Sequence, residues 1–112
     1  MPSSKEERLD SETIVDVVCP LGFRVRCTAD QWNRISRIKH PPMSGNLDQV
    51  IATIRDPDEI RHSVKNRDVL LFHRRLGSRW VSAVVAIHDG HGLLITAYPA
   101  DKIKQGELAW KK

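Results

Sequence analysis

The second half of the sequence contains three β-rich runs separated by two short turn signals, and this pattern constrains the fold most strongly. The runs cover residues 69–75, 80–87 and 93–98. Residues 76–79 read Leu-Gly-Ser-Arg and residues 89–92 read Asp-Gly-His-Gly, which are typical of tight hairpins. Because connections this short join antiparallel neighbours, the sequence predicts a three-stranded antiparallel meander.

The first half of the chain opens with a strand–turn–strand pattern. Residues 14–19 and 23–27 are predicted strands, and the Pro-Leu-Gly sequence at 20–22 is a turn signal. In this hairpin Cys19 lies beside the turn, whereas Cys27 lies at the opposite end, several residues out of register. The two sulfur atoms are then too far apart for a disulfide, and we expect free thiols in a reducing compartment.

Two or three helices are predicted between the hairpin and the meander. Thr28 and Gln31 form a capping box, in which the Thr28 hydroxyl accepts from the Gln31 N–H and the Gln31 side chain reaches back. This box predicts a helix over residues 29–39, and the apolar spacing predicts a second over residues 47–54. The Asp-Pro pair that opens residues 56–63 predicts a short third helix. Helices segregated from an antiparallel sheet make an α+β domain.

Chain length and the polar N-terminus set the expected domain organisation. A chain of 112 residues is long enough for one domain. Residues 1–12 carry two cations against four anions, so we expect a flexible acidic tail followed by a single domain over residues 13–112. The longest mostly apolar run has eight residues, whereas a membrane helix needs about 20. No signal segment opens the chain, and we expect a cytoplasmic protein.

The domain that follows the tail is basic. The whole chain has a net charge of +4, so the residues after the acidic tail carry +6. Between residues 61 and 88 lie six Arg and Lys residues, three histidines and one acidic residue. Arginine outnumbers lysine by eleven to seven, and a planar guanidinium suits phosphate contacts. A nucleic-acid surface and a merely solvated basic face both fit this composition.

Motifs for metals and cofactors are missing from the sequence. It has no Cys-x-x-Cys, no His-Glu-x-x-His, no glycine-rich phosphate loop and no dinucleotide fingerprint. His88 and His91 flank a hairpin tip, where a solvated turn explains them better than a metal site does. We therefore predict neither a metal nor a cofactor. The aromatic content of 5% also argues against a broad platform for stacking single-stranded bases.

Several polar side chains in the predicted meander are candidates for chemistry. If the hairpin registers are regular, Arg74 shares a sheet face with Thr96 and Tyr98. His73 and Arg75 then point to the other face. A slip of one residue in register would exchange the two sets.

The order of motifs along the chain resembles that of the phage-type barnase–EndoU–colicin–RelE-like (BECR) nuclease family. The resemblance covers about residues 14–110. It rests on TADQWNRI at 28–35, KHPPM at 39–43, VIATIRDPDEIRHS at 50–63, LFHR at 71–74, WV at 80–81, VV at 84–85, TAY at 96–98 and KQGELAW at 104–110.

This resemblance implies a fold of one or two helices followed by a four-stranded antiparallel sheet. It also implies metal-independent RNA cleavage, in which the 2′-hydroxyl of the RNA attacks the adjacent phosphate. That reaction needs a general base, a general acid and a cation near the developing charge. The expected substrate is RNA, and the expected role is that of a toxin or phage-related effector, with an antitoxin or immunity protein as a partner.

The resemblance also assigns catalytic roles. His40, which precedes two prolines, matches the family's histidine and is the candidate general base or acid. Arg74 matches a basic residue of the middle strand and is the candidate phosphate clamp, with His73 beside it. Thr96 and Tyr98 match the Thr-Ala-Tyr segment and are expected to orient the phosphate or donate a proton. Such a site requires His40, Arg74 and Thr96 to converge within about 10 Å.

Further substrate contacts are expected from basic side chains. Lys104 matches a basic position after the last strand of the family, and Arg75 lies next to the candidate clamp. Many relatives carry a histidine in the first helix where this chain has Arg34. An arginine holds phosphate but does not shuttle a proton at neutral pH. A non-catalytic module of the same fold, which binds RNA or a protein, is therefore the alternative to a ribonuclease.

Overall fold

The computed structural model describes residues 12–39 and 46–112. The predicted tail lies outside these residues except for its last residue, and His40 also lies outside them. In chain order the elements are β1 (Thr13–Val18), β2 (Arg24–Thr28), α1 (Ala29–Asn33), a π-helical turn (Arg34–Lys39), α2 (Leu47–Arg55), β3 (Glu59–His62), β4 (Val69–Leu76), β5 (Arg79–His88), β6 (His91–Ala100) and β7 (Leu108–Lys111). The predicted α+β class is confirmed.

The seven strands form one mixed sheet in the order β1-β2-β6-β5-β4-β3-β7. The strands β2 and β6 are parallel, and the other neighbouring strands are antiparallel. Asp89 and Gly90 form the turn between β5 and β6, with φ values of 50° and 78°. A type I′ hairpin turn requires such left-handed values, which is why an Asp-Gly pair suits this position.

The helical layer covers one face of the sheet. Successive side chains of a strand point to opposite faces, and one face supplies the apolar core. The sheet residues of this core are Val15, Val17, Val25, Cys27, Ile60, Leu70, Phe72, Val81, Ala83, Val85, Leu94 and Ala97, and the helical ones are Trp32, Ile35, Val50 and Ile54. Full burial of one such large apolar side chain stabilises the fold by roughly 1.5–3 kcal/mol. We call the opposite side of the sheet the open face.

The first helix begins as predicted, but only half of its capping box forms. The Gln31 N–H donates to the Thr28 hydroxyl at 3.2 Å. The Gln31 side chain does not reach back, because its Nε2 donates to the Ile95 carbonyl of β6 at 3.0 Å. The predicted reciprocal contact is therefore replaced by a hydrogen bond that ties α1 to the sheet.

Within the described residues, no helix is long and apolar enough to cross a membrane.

The prediction of a third helix over residues 56–63 is wrong, because part of this segment is strand β3. Asp56 ends α2, with its N–H on the Ala52 carbonyl at 2.8 Å. Ile60 pairs with Phe72 of β4 on one side and with Trp110 of β7 on the other. Pairing on both sides overrides the local helix signal. The sequence patterns did not predict the edge strand β7.

The prediction of two free cysteines is confirmed. Cys19 and Cys27 are both buried and not bonded to each other. The Cys19 N–H donates to the Phe23 carbonyl at 3.0 Å, and Cys27 pairs with Val15 at the other end of the hairpin. Burial raises the pKa of the Cys27 thiol to about 11.

Candidate functional site

A pocket of about 580 Å³ opens on the open face of the sheet. Its floor includes Leu71, Val84 and Thr96, which lie opposite one another across β4, β5 and β6. Its walls include residues 63–65, which follow β3, and residues 104–105, which precede β7. The pocket is therefore built by three neighbouring strands and by the connections that lead from β3 and into β7.

A β-bulge in β6 decides which residues face this pocket. Two consecutive residues of β5, Val84 and Val85, pair with Thr96 and Leu94, so Ile95 is an extra residue in β6. One extra residue reverses the alternation of side chains along the rest of the strand. As a result, the Thr-Ala-Tyr segment presents its two polar residues to the open face.

The expectation that Arg74 shares a sheet face with Thr96 and Tyr98 is therefore wrong. Arg74 lies opposite Val81 on the face that the helices cover, and it is half-buried there. Tyr98 lies opposite Ser82 on the open face. The alternation of residue types along β6 gave no sign of the bulge. Arg74 and Thr96 consequently do not converge on one site.

Three of the predicted site residues, Thr96, Tyr98 and Lys104, line the pocket together. The Nζ atom of Lys104 lies 5.4 Å from the centre of the Tyr98 ring, which is a cation–π contact. The Tyr98 hydroxyl and the Thr96 Oγ1 atom are both shielded from solvent, and Thr96 Oγ1 forms no hydrogen bond within residues 12–39 and 46–112. The exposed polar group of this trio is thus the ammonium of Lys104.

His73 lies on the open face beside the floor of the pocket. It is fully buried, and its Nδ1 atom lies 2.7 Å from the Oγ atom of Ser82, which is also fully buried. Burial lowers the pKa of His73 to about 4, although the negative charge of Glu59 opposes this shift. The ring is therefore neutral at pH 7 and is not a proton donor there.

Two further predicted residues, Arg75 and Arg34, do not line the pocket. Arg75 is exposed at the end of β4, where its Nε donates to the Gly77 carbonyl at 3.1 Å and its guanidinium lies 5.8 Å from the centre of the Trp80 ring. Arg34 is exposed on the π-helical turn, in the helical layer. The placement of His40 lies outside the described residues.

Several cations of the basic stretch between residues 61 and 88 are neutralised by ion pairs. Their acidic partners come from other parts of the chain, so the sequence count did not reveal them. The pairs are Arg61 with Glu59, Arg67 with Glu107 and Arg79 with Asp101. In contrast, neither Lys65 nor Lys104 forms an ion pair within the described residues. The ammonium groups available to an anion therefore include these two, both at the pocket.

A second pocket of about 670 Å³ adjoins the first. The two share Val64, Lys104 and Gln105 as a common wall. Arg61 lines the second pocket, and its Nη1 donates to the Gly106 carbonyl at 2.9 Å. A Cβ atom at Gly106 would lie 2.0 Å from the carbonyl oxygen of His62. Residue 106 must therefore be glycine, because its backbone passes close to His62 at the end of β3. This close approach positions the neighbouring residues 104–105 of the common wall.

Sequence reasoning did not single out Val64, Lys65 or Gln105 as site residues. In the sequence, Lys65 is one of the six Arg and Lys residues of the basic stretch. The three residues reach the pocket because β3 and β7 pair with each other and carry their adjoining connections to one place. That pairing links residues about 50 positions apart in the sequence, so no local pattern marks it.

The comparisons with known proteins and a search for metal clusters add no further assignment. The chain matches no family model, no curated protein and no solved structure. In the part of the chain that the structure describes, no three His, Cys, Asp or Glu side chains are grouped so as to hold a metal ion.

Proposed function

We propose that this protein is a metal-independent RNA endonuclease of BECR type whose site is the pocket on the open face. The observation that carries the proposal is that Thr96, Tyr98 and Lys104 line one pocket, although Lys104 lies on a different segment from the other two. The motif order of the sequence supports the same class. The role of a toxin or phage-related effector, with an inhibitor protein as partner, belongs to this proposal.

The mechanism assigns charge stabilisation to the pocket lysines. The RNA 2′-hydroxyl gives up its proton and attacks the adjacent phosphate, and negative charge accumulates on the phosphate oxygens. Lys104 neutralises that charge together with Lys65, which also lines the pocket. The P–O5′ bond then breaks, which leaves a 2′,3′-cyclic phosphate and a 5′-oxygen that takes up a proton. Tyr98 is assigned the proton that the leaving 5′-oxygen takes up, since its phenol is a hydrogen-bond donor, and this role requires RNA binding to expose the shielded hydroxyl. Thr96, whose Oγ1 atom is shielded from solvent, forms part of the pocket floor beneath the substrate.

Two candidates from the sequence have no direct part in this mechanism. His73 is neutral and fully buried, so its role is to hold the floor of the pocket through Ser82. Arg74 lies on the helix-covered face and is assigned to the structure of the fold instead of to phosphate binding. His40 keeps its assignment as a sequence-based candidate.

A second candidate function is RNA binding without cleavage. It is favoured by the shielding of both hydroxyls, on Thr96 and Tyr98, because a buried hydroxyl has no direct path for exchanging a proton with a substrate. The lysines of the pocket walls would then bind backbone phosphate, with an affinity that falls steeply as salt is raised.

Cleavage of mixed RNA in EDTA separates the two functions. For a ribonuclease, the wild-type protein yields cyclic-phosphate ends, Tyr98→Phe loses about 10²-fold or more in rate, and Lys104→Ala also loses rate. Lys102→Ala is the matched control, since Lys102 is an exposed lysine two residues away that lines neither pocket. Wild-type protein that binds RNA in a salt-dependent manner and never cuts it would establish the binding module instead.

A further inference from the structure

The common wall of the two pockets combines an exposed apolar side chain with a cation. Val64 is 83% exposed, the highest value among the large apolar side chains that are exposed in the described residues. Isolated exposed apolar residues are common, but this one lines both pockets. Lys104 lies on the same wall and also lines both pockets.

The two pockets differ in chemistry. The first is floored by Leu71 and Val84 and bounded by the Tyr98 ring, so it suits a flat apolar group. The second is lined by Arg61, whose guanidinium is held by Glu59 at 2.8 Å and by the Gly106 carbonyl at 2.9 Å. A guanidinium fixed in this way offers a planar surface on which a base stacks.

We propose that the two pockets hold consecutive nucleotides of one RNA strand, with Val64 between their bases and Lys104 on the phosphate that joins them. The inference rests on the proposed RNA function and specifies its substrate as single-stranded and locally unstacked. An aliphatic side chain inserted between two bases is a known means of unstacking them. The bases of a duplex are already stacked and paired, so a duplex does not place one base in each pocket.

Charge complementarity selects a nucleotide over an uncharged apolar ligand. Lys65 and Lys104 stand on the walls of the first pocket without an ion pair in the described residues, and Lys104 also borders the second. A ligand with two flat apolar groups and an anion between them satisfies both pockets and the wall at once. A dinucleotide unit has this arrangement.

The test uses a short 2′-O-methyl oligonucleotide that carries 2-aminopurine next to a purine. The 2′-O-methyl groups block cleavage, and the fluorescence of 2-aminopurine rises when it is unstacked. Wild-type protein is expected to raise the fluorescence several-fold on binding. Val64→Ala is expected to keep the affinity within about threefold while losing at least half of the fluorescence rise. The reason is that Val64, as a wedge between the two bases, acts on base stacking and not on phosphate binding.

Lysine variants test the phosphate contact independently. Lys104→Ala is expected to weaken binding at low salt and to reduce the slope of log affinity against log salt by about 0.7, the value for one single-strand phosphate. Lys102→Ala should match the wild type in both measurements. Val64 is exposed, so Val64→Ala should fold normally, and a circular dichroism spectrum checks that it does.

Several outcomes would overturn the inference. They are an unchanged fluorescence rise in Val64→Ala, an unchanged salt slope in Lys104→Ala, or equal affinity for a duplex of the same sequence. Unmodified RNA is incubated in parallel. If it stays intact while the wedge effect is present, cleavage is refuted and the two-nucleotide site stands. If the wild-type protein binds neither strand nor duplex, both proposals fall.

Discussion

Replacing Gly106 by alanine tests whether the position of the common wall between the two pockets determines the activity of the site. The added Cβ atom would lie 2.0 Å from the His62 carbonyl oxygen, whereas distances under 3.0 Å are essentially never seen for real Cβ atoms. The obstacle is backbone, so the chain at residue 106 must move by about 1 Å. The nearby hydrogen bond from the His62 N–H to the Glu107 carbonyl, at 2.8 Å, holds the two segments together and opposes this movement.

The expected loss of stability follows from two opposing effects. Overpacking of a tight contact costs about 1–3 kcal/mol. Replacing glycine by alanine also restricts the unfolded chain, which returns about 0.4–1 kcal/mol. The free energy of unfolding of Gly106→Ala, measured with urea, should therefore fall by about 1–2 kcal/mol. Because a displacement of 1 Å in a site can cost about 10²-fold in rate, RNA cleavage should fall far more than the folded fraction does.

Gly90→Ala provides the matched control for this prediction. A Cβ atom at Gly90 meets nothing within 4 Å, but the φ of 78° disfavours any side chain. The left-handed conformation costs an L-residue about 1–2 kcal/mol, so the loss of stability is similar while the pockets are untouched. The reasoning is refuted if Gly106→Ala has wild-type stability and activity, or if both variants lose activity equally.

Three further predictions concern the buried groups. Burial lowers the pKa of His73 to about 4, whereas the unfolded histidine has a pKa of about 6.5. Between these two pH values the unfolded chain binds more protons than the folded chain does. The free energy of unfolding should therefore decrease by on the order of 3 kcal/mol between pH 7 and pH 4. Urea titrations of wild type and His73→Gln check this, and an equal pH slope in the two would contradict it. Ser82→Ala should lower the free energy of unfolding by about 1–3 kcal/mol, because it removes the hydrogen-bond partner of His73 Nδ1; stability equal to that of the wild type would argue against the pair. Burial raises the pKa of Cys27 to about 11, so iodoacetamide at pH 8 should label this thiol only after unfolding, as mass spectrometry would show, and rapid labelling of the native protein would contradict its burial.

The sequence was informative where structure depends on neighbouring residues. The β4–β5 register, which places His73 beside Ser82, follows from regular alternation across a two-residue turn at Gly77 and Ser78. The start of α1 follows from the hydroxyl of Thr28. In both cases the determining contacts lie within about ten positions of each other, so the local pattern contains them.

The site depended on contacts that local patterns do not contain. The bulge at Ile95 is stabilised by the side chain of Gln31, 64 positions away in the sequence, through its hydrogen bond to the Ile95 carbonyl. For this reason regular alternation predicts the wrong face for Thr96 and Tyr98, and the group of residues predicted around Arg74 does not form. The family resemblance pointed to Thr96, Tyr98 and Lys104 as site residues but carried no information about which sheet face they share.

The parallel pairing of β2 with β6 has a consequence for how the protein assembles. The hairpin of β1 and β2 and the three strands β4 to β6 are each closed by short turns, so each forms at a low cost in chain entropy. Within the described part of the sheet they join through two registered pairs, Val25 with Gly92 and Arg26 with Leu93, and the Gln31 side chain adds a hydrogen bond to the Ile95 carbonyl of β6. We call this junction the seam. The seam closes a loop of more than sixty residues, so we expect its formation to be the slow, non-local step of folding. The strand β6 belongs both to the seam and to the floor of the pocket, so a ligand that binds there favours the joined state over the separated one.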